Sequence, residues 1–199
     1  MKILLAYGAD INVIPSGGRW SNALYCAAEH GLSLTKLLVD NGADMNLACE
    51  RGTALSVACR SGDQSLVKFL FQSGARVDAS EFFGSRPLTL ASRSGHKEVV
   101  ELLIANGADV DDVDYWADYD TTALSAAARS GHTDIVAILI DAGADVSAQG
   151  SVALLDALCG GHDRTVALLE ARGAEELTLE QLNKGLILLC EYRHRQNFE

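Results

Sequence analysis

The chain has 199 residues, 48% of them apolar and 6% aromatic, and its 16 Lys+Arg against 27 Asp+Glu give a formal net charge of −11. That length buries a sizeable core in one or two domains. The acidic balance argues against nucleic-acid and anionic-membrane surfaces, which attract basic patches.

Cysteines are odd in number (Cys26, Cys49, Cys59, Cys159 and Cys190) and no pair has CxxC spacing. This argues against a disulfide framework or a structural zinc and for a reduced compartment. No uncharged apolar run approaches the ~18–20 residues that span a bilayer. The opening "MKILLAYGAD" meets Asp10 too early for a secretory signal. The expected location is intracellular, with cytoplasm and nucleus not distinguished.

In chain order, residues 1–13 read as the second half of a helical repeat, with no first helix before Ile3, Leu4 and Leu5. Terminal repeats normally present a polar outer face, so the chain is expected to be a fragment of a longer array. It should be a monomer unless that open N-terminal face self-associates. Copies follow at 14–47, 48–79, 80–113, 114–149 and 150–177. A Gly-Ala pair recurs at Gly8, Gly42, Gly74, Gly107, Gly143 and Gly173, in steps of 34, 32, 33, 36 and 30 residues. A second series, Gly31, Gly62, Gly95, Gly131 and Gly161, precedes it by 12 residues in four cases and 11 in the first. So constant a gap predicts a helix and its cap. Two of these segments, "RSGHKEVVELLIANGAD" at 93–109 and "RSGHTDIVAILIDAGAD" at 129–145, are identical at 10 of 17 places.

Within the first of them Val99, Val100, Leu102, Leu103 and Ile104 form the apolar face of a helix, and Gly107 stands where a helix end wants a left-handed residue. Upstream of each first-series glycine lies a small-residue helix such as "ALSVACRSG", anchored in turn by Leu24, Leu55, Leu88, Leu124 and Leu154. Each copy is thus two short antiparallel helices, and one pair alone cannot bury its apolar face, so copies stack. The last segment, 178–199, reads as a capping helix and tail. Thr178 and Gln181 form a capping box, and Leu179, Leu182, Leu186 and Leu189 are placed to lid the final copy.

The phrase "RPLTLASRSGHKEVVELLIANGADVD" resembles the ankyrin repeat, whose period is about 33 residues, and the resemblance covers roughly residues 2–177. It implies an all-α fold: an ankyrin-repeat solenoid of stacked helix-turn-helix pairs joined by finger loops. The family's helix-opening Thr-Pro-Leu-His phrase is eroded. Only Pro87 keeps the proline, and the histidine becomes Tyr25, Ser56, Thr89, Ser125 and Leu155. These losses put the helix-opening hydrogen bonds in question. "GGRWSNAL" is similar to repeats in large fungal proteins, which raises a second functional reading: the sensor or regulatory arm of a larger multidomain, NTPase-type protein.

No catalytic residue, cofactor site or metal site is expected. His96, His132 and His162 share one register, each after a glycine, as a structural role predicts; a catalytic triad needs one histidine beside one nucleophile. Phosphate-binding glycine loops are absent. "DVDDVDYWADYD", 109–120, lacks the sixth-place glycine and twelfth-place glutamate of a calcium loop and reads as a solvated loop or as an acidic-aromatic finger that grips a partner.

The resemblance implies that the finger tips and inner-helix ends line a concave partner-binding surface. Mapped here, it carries Arg60, Arg93 and Arg129 as a ladder, with Arg19, Trp20, Glu50, Phe82, Phe83, Trp116 and Tyr119 on the tips. Each arginine either pairs with a nearby acid or grips an acidic or phosphorylated peptide. The expected function is a non-enzymatic scaffold binding a protein or peptide, without nucleic acid or membrane partners.

Overall fold

A computed structural model of the chain describes residues 9–14, 21–78, 86–114, 121–175, 177–183, 185 and 187, with the side chains of 148–151 left aside. The described residues form a stack of helix pairs: α1 Ala23–Glu29 with α2 Leu32–Val39, α3 Ala54–Ser61 with α4 Gln64–Gln72, and α5 Pro87–Ser94 with α6 Lys97–Ala105. Then come α7 Ala123–Arg129 with α8 Thr133–Asp141, and α9 Ala148–Gly160 with α10 Asp163–Ala171. The inner helices α1, α3, α5, α7 and α9 pack in sequence, and the outer helices α2, α4, α6, α8 and α10 pack beside them. This is the expected all-α solenoid. The last joint departs from the pattern, since α9 starts at Ala148, directly after the turn at Val146 and Ser147, and runs 13 residues.

The core follows the sequence pattern. Leu24, Leu55, Leu88, Leu124 and Leu154 are all buried. On α6, Val99, Val100 and Leu103 are buried while Leu102 and Ile104 are only partly so. The apolar face of this outer helix is narrower than these five apolar positions suggest, because its far side looks to solvent.

Loss of the histidine phrase does not unmake the helix starts. Thr53 with Ser56, and Thr122 with Ser125, form reciprocal capping boxes, so a serine hydroxyl serves at the old histidine position. Asn22 Oδ1 accepts from the Tyr25 N–H at 2.7 Å. At α5, Pro87 occupies the first turn, where no backbone donor is needed.

The three register histidines tie copy to copy. Nε2 of His96, His132 and His162 lies 3.1, 3.1 and 3.0 Å from the carbonyl oxygens of Arg60, Arg93 and Arg129. A carbonyl only accepts, so Nε2 carries the proton. Each ring sits on the first-series glycine of the preceding copy: a Cβ added at Gly62, Gly95 or Gly131 would lie 2.5, 2.6 or 2.5 Å from a ring atom. Gly95 thus has two reasons to be glycine, φ +80° and the His132 ring, whereas Gly107 (φ +84°) has open space around it. Gly107→Ala is expected to cost about 1 kcal/mol of unfolding free energy for the left-handed backbone alone. Gly95→Ala should cost at least about twice that, because the ring must also move. Urea titration of both variants, and of Gly95→Ala in a His132→Ala background, checks the assignment: the His132→Ala background should relieve much of the Gly95→Ala penalty.

The C-terminal box forms as expected, with Thr178 N–H donating to Gln181 Oε1 at 2.7 Å and Gln181 N–H to Thr178 Oγ1 at 3.3 Å. The expected lid is not made by its first two leucines. Leu179 is 75% and Leu182 41% exposed. The close approach is instead at Gly185, where a Cβ would come 2.5 Å from Leu155 Cδ1 and 3.4 Å from Cys159 Sγ. The backbone itself seals against α9, a fit that branched side chains at that position would prevent. Leu186 and Leu189 lie outside the described residues.

Candidate protein-binding face

The inner-helix C-termini carry the arginine ladder, and the structure sorts its three members. Arg60 Nη2 donates to Tyr25 Oη at 3.3 Å and lies 3.6 Å from Glu29 Oε1. Arg51 joins the same group, 3.8 Å from Glu29 and with its guanidinium 5.4 Å above the Tyr25 ring. Arg129 binds Asp156 Oδ1 through Nε at 3.0 Å and Nη2 at 2.5 Å. Arg93 is exposed and, among the described residues, has no hydrogen-bond or ion-pair partner for its side chain. A row of equivalent cations in sequence is therefore one available guanidinium between two engaged ones.

Asp156 is the residue that sequence reasoning passed over. It occupies the register of Cys26, Val57, Leu90 and Ala126 on the inner helices, and it is 4% exposed. Burial pushes its carboxyl above the usual carboxylate range, with Arg129 opposing that shift. Next to it burial, aided by the Asp156 charge, raises the Cys159 thiol. Deep burial raises Cys59 as well. Both thiols are kept protonated and are poor nucleophiles at neutral pH.

The finger side is organised by short polar links. After four of the six Gly-Ala glycines the residue two on is an aspartate (Asp10, Asp44, Asp109 and Asp145) that accepts through Oδ1 from the N–H two residues further, at 2.8–3.0 Å. Three of the residues four after such a glycine reach across to the next copy. Asn12 accepts from the Asp44 N–H at 2.8 Å, Asn46 from Arg76 at 2.8 Å and Asp111 from Asp145 at 2.9 Å. This ladder was legible as a recurring Asp/Asn at a fixed offset from glycine, but only the structure shows it bridging copies.

The described part of the acidic run, 109–114, is not simply solvated. Asp114 is 4% exposed, pairs its backbone with Thr121 at 2.8 and 3.1 Å, and accepts from the Arg86 N–H at 3.2 Å. Asp112 lies 3.1 Å from Arg86 Nε. The base of this connection is thus a structural clasp on the entry to α5. Glu50 is exposed in a tight turn closed by the Cys49–Gly52 bridge at 2.9 Å in both directions. Arg19, Trp20, Phe82, Phe83, Trp116 and Tyr119 lie outside the described residues. Among the described residues no group of three or more His, Cys, Asp and Glu is placed to hold a metal ion, and no helix is long and apolar enough to cross a membrane.

A family model described as ankyrin repeats in three copies matches the chain over residues 1–81, 24–114 and 88–178. No curated protein matches it at a significant level.

Proposed function

The chain belongs to the ankyrin-repeat family, whose repeats generally serve as protein–protein interaction modules, and on that premise we propose that it is a non-enzymatic scaffold holding a protein or peptide on its concave and finger face. The observation that carries this reading is Arg93. It is an exposed guanidinium without a partner among the described residues, at the middle of the inner-helix row, in a chain of net charge −11. Its forked donors suit a carboxylate of an acidic peptide. Because the stacked core already fixes the surface, little ordering entropy opposes binding.

The test compares wild type with Arg93→Glu as bait in capture from native extract. Proteins that bind this face should be lost by roughly ten-fold or more with the charge reversed, and recovered from wild type less well as salt rises. Identical recovery by a folded Arg93→Glu variant would remove Arg93 from the binding surface.

A further inference from the structure

Among the described residues the ladder of links between copies is made at Asn12, Asn46 and Asp111 and is missing at Asp78 and at Ser147. Asn12 and Asn46 each use a whole carboxamide. Oδ1 accepts from the N–H of Asp44 and Arg76, at 2.8 Å in both cases. Nδ2 donates to the carbonyls of Gly42 at 3.1 Å and Gly74 at 3.4 Å. Asp111 makes the accepting half alone, from Asp145. Asp78, at the same register, makes neither half. Its carboxylate turns to Arg76, whose Nε and Nη2 donate at 3.2 and 3.1 Å. That hydrogen bond first of all holds the Asp78 carboxyl below its usual range, so it stays ionised and has no proton to offer a carbonyl.

The matching backbone pair, the Asp109 N–H and the Gly107 C=O, is consequently without a partner among the described residues, and both residues are exposed. A cleft of about 680 Å³ opens at this joint. Phe71, Val77 and Ala108 supply apolar wall, and the charged lining is Asp78 paired with Arg76, Asp112 paired with Arg86, and Asp109.

We infer that this cleft is a binding site for a primary carboxamide, the side chain of an asparagine or glutamine presented by a protein partner. The chain itself shows twice what fills such a donor–acceptor pair. A carboxylate ligand only accepts and would leave the Gly107 carbonyl unmet, and an ammonium only donates and would leave the Asp109 N–H unmet. A carboxamide answers both groups with a separate atom for each, as Asn12 and Asn46 do, while its methylene stem packs on Phe71 and Val77. The site rests on the partner-binding reading for the source of the carboxamide alone.

Propionamide and propionate serve as matched probes, titrated into the isotope-labelled full chain and followed by NMR. Propionamide should shift the Asp109 amide and the Gly107 carbonyl, leaving the corresponding pairs at Asp44 and Gly42 unmoved; propionate should shift neither. In Asp78→Asn the new side chain fills the cleft from within, and the response should weaken roughly ten-fold, the worth of a hydrogen-bonded contact. Exchange of the Asp109 amide should slow in step. Arg76→Ala, which frees Asp78 to accept from Asp109 as Asp111 does from Asp145, should weaken it too. Equal shifts from both probes, no shift from propionamide, or an undiminished response in both variants would overturn the site. Silence here beside intact Arg93-dependent capture defeats this site only; the reverse outcome defeats the scaffold reading only.

Discussion

Leu103→Ala is expected to lower the unfolding free energy by ~2–5 kcal/mol, a large share of the ~5–15 kcal/mol that a domain possesses. Leu103 is 0% exposed on α6, among the largest fully buried side chains, and in the same cluster as Val67, Leu70, Val136 and Leu139 from the outer helices on either side. Truncating it opens a hole shared by the intra-copy contact and the contacts between copies. In a stack, stability is close to a sum of copies and nearest-neighbour interfaces, so the damage should be unequal. Urea unfolding followed by circular dichroism should show a lower midpoint and a broadened or split transition, as the halves either side of α6 uncouple. Leu102→Ala, one position away and only partly buried, is the control and should cost clearly less. Equal costs for the two variants would mean that the buried stripe of α6 is placed wrongly.

The features that sequence shows best are those set by backbone geometry. Two glycine series at constant separation have to mark helix ends, since φ of +74° to +102° at Gly62, Gly74, Gly95, Gly107, Gly131 and Gly143 suits few other residues. Periodic leucines then say which faces meet. The shared register of His96, His132 and His162 likewise announces a structural task, though not that each ring covers a glycine of the copy before.

What sequence hides is pairing at a distance. Arg60, Arg93 and Arg129 look alike because their helices are alike. Their difference is made by Tyr25 and Glu29 in one neighbouring copy and by Asp156 in another. The six aspartates of 109–120 read as one acidic run, yet Asp109 closes a turn, Asp111 bridges copies and Asp114 is buried against the entry to α5. Leu179 and Leu182 show the same limit from the apolar side. Helical spacing says that a face exists, and only the close fit of Gly185 on Leu155 decides which face docks.

The second large effect is expected at Arg129, and it should be strongly asymmetric. Arg129 and Asp156 form one ion pair, but their side chains are 46% and 6% exposed. Removing the arginine leaves a carboxylate buried with no counter-charge, a change that costs ~3–5 kcal/mol in buried pairs. Removing the acid leaves an arginine that water can reach, so Asp156→Ala should cost far less. Asp156→Asn, which keeps an acceptor for Arg129, should be neutral or stabilising.

The pH dependence follows from the sign of the shift. Burial raises the Asp156 carboxyl in the folded state above its unfolded value of about 3.9. Over that window the folded state binds the extra proton, so this group's contribution to stability is lost as pH rises through it. Without Arg129 the folded value climbs further and the window widens toward neutral pH. The deficit of Arg129→Ala against wild type should therefore be largest near pH 7 and shrink as pH falls toward 4, where the orphaned carboxyl is neutral. Urea midpoints at several pH values measure this directly. In the Asp156→Asn background Arg129→Ala should lose most of its cost at every pH. A penalty for Arg129→Ala that is the same at all pH values, and unchanged in that background, would show that the arginine acts through packing and not through the charge it faces.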